Sequence, residues 1–231
     1  MPIISQRYQD VLTRLQAAAA CHHRPPPRLL AVSKLQPVEA MATLHAAGQR
    51  AFGENYVQEA LAKQGPLAGL DIEWHLIGHL QTNKAREAAR HFDWVQSVDR
   101  QRLVDALARE RSTDLPPLNV LVQVNVDDET SKSGCSVAEV DALCAAIATH
   151  PTLALRGLMA IPAPHPDFEL RRAAFQHLRE LFDRLKAAYP SIDTLSLGMS
   201  EDAELAIEEG STMVRIGTAL FGQREAGDSK R

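Results

Sequence analysis

Short apolar segments alternate with longer amphipathic segments along nearly the whole chain, and this alternation limits the possible folds more than any other feature. Eight segments have the length and composition of buried β-strands, and helix-patterned sequence follows each of the first seven. The segments, in chain order, are LLAVS, QRAFGEN, EWHLIG, DWVQSV, LNVLVQVNV, LALRGLMAI, TLSLG and TMVRIG. Because (β/α)8 barrels typically have about 250 residues, eight such repeats in 231 residues predict a single (β/α)8 (TIM) barrel.

An open, doubly wound parallel sheet is the alternative fold. That fold usually carries a G-x-G-x-x-G turn after its first strand, and no such turn follows the first strand segment here. No low-complexity linker and no sharp change in composition divides the chain. We therefore predict one domain over residues 1–231, with an opening helix over about residues 5–21 and a polar C-terminal tail over about residues 223–231.

The composition argues against a general affinity for nucleic acid or membranes. Hydrophobic residues make up 45% of the chain and charged residues 23%, with a net charge of −4. No apolar stretch approaches the roughly 20 residues of a membrane helix, and the N-terminal segment does not have the pattern of a secretory signal. Three cysteines without a C-x-x-C pair favour a reducing compartment. We expect a cytoplasmic protein that binds neither nucleic acid nor membranes.

Polar residues gather where the predicted strands end, and functional groups of (β/α)8 barrels lie at these carboxyl ends. Lys34 follows the first strand segment directly. Loss of hydration and proximity to Arg215 would both favour its neutral, nucleophilic form, which makes Lys34 a candidate for Schiff-base formation with an aldehyde. The other residues near predicted strand ends are Ser33, Gly53, Glu54, Asn55, His75, Gly78, Asn125, Met159, Ser196, Ser200, Arg215, Gly217 and Thr218.

The segments after the seventh and eighth strands predict an anion site. Ser200 is a suitable N-cap for a helix that begins near Glu201, and the backbone N–H groups of Gly217 and Thr218 could approach an anion closely. Loops after these two strands form the usual phosphate site of such barrels. Combined with a reactive lysine, they predict a ligand that carries both an aldehyde and a phosphate.

Several motifs together resemble the YggS/PROSC family of pyridoxal phosphate homeostasis proteins. They extend from about Leu30 to Gly222 and comprise AVSK, FGENYVQE, WHLIGHLQTNK, VQVNVDDETSKSG, LRGLMAIP and LSLGMSEDAELAIEEGSTMVRIGTALFG. The resemblance implies a (β/α)8 barrel like the N-terminal domain of alanine racemase (fold type III). It further implies a protein of intracellular vitamin B6 homeostasis, which holds pyridoxal 5′-phosphate (PLP) as a Schiff base and buffers or delivers it.

The resemblance also implies the cofactor-binding residues. Lys34 would form the Schiff base, and Arg215 would face the pyridine nitrogen. His79 departs from the family pattern, which more often has proline or a small residue at this position, so the shape of the local loop can differ. The remaining expected contacts are Ser200, Gly217 and Thr218 with the phosphate, Asn55 with the cofactor, and His75 and Met159 with the edge or face of the ring.

Two enzymes are the alternatives to a carrier: a fold type III amino-acid racemase with weak activity and a Schiff-base aldolase acting on a phosphorylated sugar. A racemase needs acid–base groups on both faces of the α-carbon. In the similar racemases the second group is a tyrosine from an additional β-domain, which we do not expect in this sequence. An aldolase is less favoured because Lys34 follows the first strand and no acid–base pair adjoins it. We therefore expect a non-catalytic, monomeric carrier, with apo forms of PLP enzymes as recipients.

Two further motifs were considered as metal sites. His75 and His79 have the spacing of a helical zinc motif but fall on a predicted strand, so their rings would not share a helix face. The acidic loop after the fifth strand does not have the spacing of a calcium loop. We expect no metal, and Lys132 in this loop is a candidate for receiving or releasing the aldehyde.

Overall fold

Eight parallel strands close into a barrel, which confirms the predicted fold class. The computed structural model describes residues 3–127, 133–163 and 166–222. Each strand pairs with its neighbours in chain order, and the last strand pairs with the first. The strands are β1 (Arg28–Val32), β2 (Ala51–Glu54), β3 (Glu73–Leu76), β4 (Trp94–Val98), β5 (Leu118–Val124), β6 (Leu153–Ala160), β7 (Thr194–Ser196) and β8 (Met213–Ile216).

Helices surround the barrel. The opening helix begins two residues earlier than predicted, and the predicted C-terminal tail lies outside the described residues. Within the described ranges, no helix combines the length and apolar character needed to cross a membrane. The helices are α1 (Ile3–Cys21), α2 (Val38–Ala46), α3 (Val57–Gln64), α4 (Ala85–His91), α5 (Gln101–Glu110), α6 (Val140–Ala148), α7 (Phe168–Ala188), α8 (Ala203–Glu208) and α9 (Thr218–Phe221).

Alternating side chains on the strands form two separate apolar regions. Leu29 and Ala31 belong to the large core between the barrel and its helices, whereas Leu30 belongs to a small cluster with Ala51 and Met213. Because successive side chains of a strand point to opposite faces, this small cluster lies inside the barrel. A second interior cluster consists of Trp94, Leu121 and Met159. The interior is therefore filled with side chains, and a ligand has to bind at an end of the barrel.

A β-bulge interrupts the pairing of β5 with β6. Val120 pairs with Leu155 and Leu121 pairs with Gly157, so Arg156 is one extra residue on β6. Gly157 has φ of +142°, a backbone conformation that residues with a side chain rarely adopt. The bulge sets the register of the rest of β6, whose end borders the carboxyl-terminal mouth of the barrel.

Candidate functional site

Two cavities open at the carboxyl ends of the strands and meet at Lys34. Their volumes are about 410 Å³ and about 340 Å³. Lys34 and Arg215 line both cavities, as do Val32, Ile161 and Met199. The Lys34 side chain is half-buried. An amine at this junction can react with a ligand in either cavity, and we call the larger one the first cavity and the smaller one the second cavity.

The turn that carries Lys34 has a strained backbone. Leu35, the next residue, has φ of 60°, in the left-handed region that is unfavourable for residues other than glycine. Its backbone N–H donates a hydrogen bond to the Glu59 carboxylate on α3. No residue of α3 lines either cavity. The helix nevertheless helps to position the lysine, because it holds the turn in this conformation.

Lys63 lies against the same turn and is nearly buried. Its Nζ donates hydrogen bonds to the carbonyl oxygen of Ser33 at 2.8 Å, to Glu54 Oε1 at 2.9 Å and to Glu59 Oε1 at 2.7 Å. The Ser33 hydroxyl donates to the same Glu54 oxygen at 2.6 Å. Burial raises the pKa of Glu54, and the hydrogen bonds from Ser33 and Lys63 oppose that rise. This cluster ties β1, β2 and α3 together directly behind Lys34.

The first cavity contains the residues predicted to bind a phosphate. Ser200 follows β7, and Gly217 and Thr218 follow β8. All three line the cavity together with Lys34 and Arg215. Five of the eight predicted cofactor-binding residues are therefore assembled around one cavity.

The predicted capping role of Ser200 is wrong. α8 begins at Ala203 rather than near Glu201, and Asp202 occupies its N-cap position. The Asp202 carboxylate instead accepts a hydrogen bond of 2.6 Å from the backbone N–H of Met199. Three residues of turn thus separate Met199 from the helix, and Ser200 lies within this turn on the wall of the first cavity.

Arg215 is buried and held in one orientation by three acceptors. Its Nη1 donates to the carbonyl oxygen of Ser196 at 2.7 Å and to the Ser196 hydroxyl at 2.8 Å, and its Nη2 donates to the carbonyl oxygen of Ala160 at 2.8 Å. Burial lowers the pKa of Arg215 to about 10, and the nearby Asp202 carboxylate counteracts this effect. The guanidinium therefore remains charged at neutral pH and joins the ends of β6 and β7.

A chain of hydrogen bonds leads from Arg215 through the barrel interior. The Ser196 hydroxyl donates to Gln96 Oε1 at 2.8 Å, and Gln96 Nε2 donates to His75 Nδ1 at 2.9 Å. On its other side, His75 Nε2 contacts the Glu73 carboxylate. Because a carboxylate can only accept, this arrangement requires the neutral ring with its proton on Nε2. Because the Ser196 hydroxyl donates to Gln96, its oxygen is left to accept the hydrogen bond from Arg215.

His75 and Met159 lie beneath the mouth and line neither cavity. The His75 ring is fully buried, stacks on Trp94 at a centroid distance of 5.1 Å, and uses both nitrogens in the hydrogen-bond chain. Met159 is fully buried in the interior cluster with Trp94 and Leu121. Direct contacts of these two residues with the ring of the cofactor were predicted. They do not follow from this geometry, because the barrel interior encloses each side chain.

The neutral state of His75 predicts a pH dependence of stability. Burial lowers the pKa of His75 below its ordinary value of 6.5. The unfolded chain then binds a proton that the folded protein does not, so the free energy of unfolding should fall as the pH decreases below 6.5, by up to about 1.4 kcal/mol per pH unit for one proton. We expect His75→Gln to show a shallower fall between pH 7 and 5.5 in urea denaturation. Equal slopes in the two proteins would contradict this assignment.

Asn55, the predicted cofactor contact after β2, lines the second cavity. Gly78 approaches it closely: a Cβ on Gly78 would lie 2.1 Å from the carbonyl oxygen of Asn55. His79, the residue that departs from the family pattern, also lines this cavity and lies 3.7 Å from the Asp99 carboxylate.

Lys132 lies outside the described residues. Among the residues that are described, no three His, Cys, Asp or Glu side chains are grouped to hold a metal ion.

Sequence reasoning missed several residues that shape this site. Glu59 and Lys63 have the i, i+4 spacing of a helical ion pair, but such pairs are usually exposed, and their burial depends on where α3 packs. Gln96 was also missed, because its hydrogen-bond partner Ser196, itself one of the predicted strand-end residues, is 100 residues away in the sequence. Arg171, on α7, lines the first cavity. The spacing of apolar residues on α7 predicts the face that packs on the barrel but not this contact.

Comparisons with known proteins agree with the architecture of the site. The model of the alanine racemase N-terminal domain family matches residues 9–225. The pyridoxal phosphate homeostasis protein of Pseudomonas aeruginosa is 51% identical over 229 residues, which cover 98% of each chain. The chain belongs to the pyridoxal phosphate homeostasis protein family. The resemblance inferred from the sequence motifs is thereby confirmed.

Solved structures extend this comparison to the fold. The structure of PipY from Synechococcus elongatus with PLP bound has a TM-score of 0.83 and 38% identity, and the match covers 95% of this chain and all of PipY. Alanine racemase from Enterococcus faecalis has a TM-score of 0.70 and 17% identity, with 99% of this chain and 60% of the racemase covered. The racemase comparison shows a shared barrel fold only.

Proposed function

We propose that this protein binds PLP reversibly through Lys34 and takes part in PLP homeostasis by buffering or delivering the cofactor. The observation that carries the proposal is the position of Lys34. It lies at the junction of two cavities that a buried arginine also lines, and the three residues expected to bind a phosphate line the larger of the two. The PLP-bound structure of PipY and the name of the Pseudomonas aeruginosa relative support the same ligand.

The residues present fit this cofactor. A cavity of about 410 Å³ is in the size range of sites for small organic ligands. Its lining includes an amine, a fixed guanidinium and a hydroxyl, in keeping with an aldehyde, a pyridine nitrogen and a phosphate. Lys34 would hold the aldehyde end, Arg215 the ring nitrogen, and Ser200, Gly217 and Thr218 the phosphate end.

In this assignment the protein acts mainly by binding and orientation. The cofactor supplies a reactive aldehyde. The Lys34 amine condenses with it reversibly and releases water, and the reverse reaction returns both groups unchanged. Arg215 cannot accept a proton and stays charged near pH 7, so it donates a hydrogen bond to the ring nitrogen and disfavours protonation there.

Asn55 is assigned to the second cavity. Both Asn55 and Lys34 line this cavity, so the Asn55 amide can contact the cofactor near the carbon that is attached to Lys34. His75 and Met159 support the ring only indirectly in this scheme. His75 belongs to the hydrogen-bond chain that ends at Arg215, and Met159 packs in the interior layer below the mouth.

A racemase is not favoured by the residues around Lys34. Racemisation requires a second acid–base group on the opposite face of the α-carbon. Tyr56 is the tyrosine closest in sequence to a strand end, but it is exposed and lines neither cavity. No other tyrosine lines either cavity within the described ranges. We therefore propose a carrier rather than an enzyme.

Borohydride trapping tests the proposal. We expect the purified protein, loaded with PLP, to retain the cofactor after reduction with sodium borohydride, since reduction makes the carbon–nitrogen bond to lysine permanent. Peptide mass mapping should then find the adduct on Lys34. Lys34→Met should abolish the adduct and the visible absorption band of the bound cofactor.

Lys84→Met is the matched control for this experiment. Lys84 follows β3 on the same side of the barrel, but it lines neither cavity and pairs with Glu87, at 3.6 Å. This variant should form the Lys34 adduct to the same extent as the wild type. An adduct found only on Lys132, or none on fully loaded protein, would contradict the proposal.

The proposal includes a cytoplasmic, monomeric protein that passes PLP to apo-enzymes. Three free cysteines are compatible with a reducing compartment: Cys21 is exposed, whereas Cys135 and Cys144 are buried, and burial raises the pKa of each of these two thiols to about 12. Sedimentation measures the oligomeric state. Transfer from loaded protein to an apo-enzyme, in the presence of an excess of an aldehyde scavenger, distinguishes direct delivery from release into solution.

A further inference from the structure

We infer that Arg171 is the residue that balances the charge of a phosphate monoester in the first cavity and selects phosphorylated over unphosphorylated aldehydes. Arg171 lies in the first turn of α7 and lines this cavity together with Ser200 and Thr218. This inference rests on the proposed function, because it assumes that the cavity holds the phosphate end of the ligand.

The hydrogen bonds of Arg171 leave it available for a ligand. Within the described residues its buried Nε has no hydrogen-bond partner, and its guanidinium lies 5.6 Å from the centre of the Phe168 ring. Its neighbour Arg172 lies 5.0 Å from the centre of the same ring but also pairs with carboxylates. Arg172 contacts Glu208 at 2.6 and 3.0 Å and Glu209 at 2.7 Å. Arg172 is thus paired with carboxylates on the outside of the barrel, whereas the adjacent Arg171 lines the cavity.

The other charges of the first cavity explain why a further cation is needed. Glu201 and Asp202 line the same cavity, and their carboxylates would repel a phosphate dianion. The Lys34 amine would react with the aldehyde, and the Arg215 guanidinium is held by hydrogen bonds to the ends of β6 and β7. Among the described residues that line the cavity, Arg171 is the remaining cation.

The chemistry of arginine suits this role. A guanidinium can donate two parallel hydrogen bonds to a phosphate, and no side-chain hydrogen bond or ion pair within the described residues already occupies that of Arg171. The hydroxyl of Ser200 and the backbone N–H groups of Gly217 and Thr218 are neutral donors, so they orient a phosphate without compensating its charge. Recognition of the phosphate charge is therefore assigned to Arg171.

Equilibrium titration of Arg171→Gln with PLP and with pyridoxal, followed by absorbance, tests this inference. Loss of a charge-assisted hydrogen bond should weaken PLP binding about 10- to 100-fold. Binding of pyridoxal should change less than about 2-fold, because it carries no phosphate. Arg171→Lys keeps the positive charge but loses the two parallel N–H donors of the guanidinium, so this variant should have an intermediate PLP affinity. Inorganic phosphate should compete with PLP more weakly in Arg171→Gln than in the wild type.

Arg102→Gln is the control, since Arg102 is an exposed arginine on α5 that lines neither cavity. It should bind both ligands like the wild type. Unchanged PLP affinity in Arg171→Gln, or an equal loss for PLP and pyridoxal, would overturn the inference and leave the proposed function intact. Failure of the wild type to bind PLP would instead overturn the proposed function.

Discussion

Replacing Lys63 by methionine is expected to lower the free energy of unfolding at pH 7 by about 3–5 kcal/mol. The change removes the cation beside Glu54, whose side chain has no exposed surface, whereas the lysine side chain is 9% exposed. Water therefore cannot take over the hydrogen bonds that Nζ donates to Ser33 and Glu54, whereas the Glu59 carboxylate is partly exposed. Urea denaturation followed by circular dichroism measures the loss.

The loss should depend on pH in a defined direction. Burial already raises the pKa of Glu54 above its ordinary value of 4.5, and removal of Lys63 should raise it further. A group whose pKa is raised by folding favours the folded state at low pH, and this contribution disappears as the pH rises through the folded-state pKa. Lys63→Met should therefore regain part of its stability as the pH falls from 7 towards 4.5.

Lys84→Met is again the control, because its contact with Glu87 is a partly exposed i, i+3 pair. Such a pair contributes about 0.5 kcal/mol or less, so this variant should be nearly as stable as the wild type. A loss below about 1 kcal/mol in Lys63→Met would show that the buried pair does not stabilise the fold as the charges and contacts indicate.

The same variant should affect the candidate site. Lys63 and Glu59 hold Ser33 and the backbone N–H of Leu35, the two residues that flank Lys34. Without these contacts the turn can relax from the left-handed conformation of Leu35, and the amine is no longer held in one place. We expect Lys63→Met to weaken PLP binding even under conditions in which the protein is fully folded.

Much of the architecture could be predicted from the sequence because it depends on local periodicity. Apolar runs such as LNVLVQVNV coincide with strands, and β5 covers Leu118–Val124 within that run. The rule that functional residues lie near strand ends brought together Lys34, Ser200, Arg215, Gly217 and Thr218, which line one cavity. These predictions needed only the order of the strands and the direction in which they run.

The details that failed depend on contacts between distant segments. A serine before acidic residues suggested a cap at Ser200, but Asp202 occupies that position after a longer turn. His75 follows the same alternation as the mouth residues, yet it lies one layer lower and forms part of a chain with Gln96 and Ser196. Such depth inside a barrel depends on strand register, which the sequence of one strand does not contain.

The β6 bulge predicts a large effect of a small substitution on stability. A Cβ on Gly157 would lie 2.0 Å from the carbonyl oxygen of Thr194 on β7, and the φ of +142° disfavours any residue with a side chain. Relief of the clash requires β6 and β7 to separate, and the φ strain remains. We expect Gly157→Ala to lose about 2–6 kcal/mol of unfolding free energy. Urea denaturation measures this loss, and a variant too unstable to fold would lack the far-UV circular dichroism of the wild type.

Gly65→Ala is the matched control. Gly65 has φ of −57° at the end of α3, and a Cβ there would meet no atom within 4 Å. Alanine restricts the unfolded chain more than glycine does, so this variant should be unchanged or more stable by up to about 1 kcal/mol. Comparable stability of the two variants would show that β6 and β7 accommodate a side chain at the bulge without strain.

The consequence of Gly157→Ala for ligand binding follows from the same strand pair. Arg215 donates to Ala160 at the end of β6 and to Ser196 at the end of β7, so any separation of these strands moves one of its acceptors away. An arginine that loses an acceptor is no longer held in one orientation. We therefore expect any folded Gly157→Ala protein to bind PLP more weakly than Gly65→Ala, in a titration followed by absorbance below the temperature at which either variant unfolds. Equal affinities would show that the bulge stabilises the barrel without positioning Arg215.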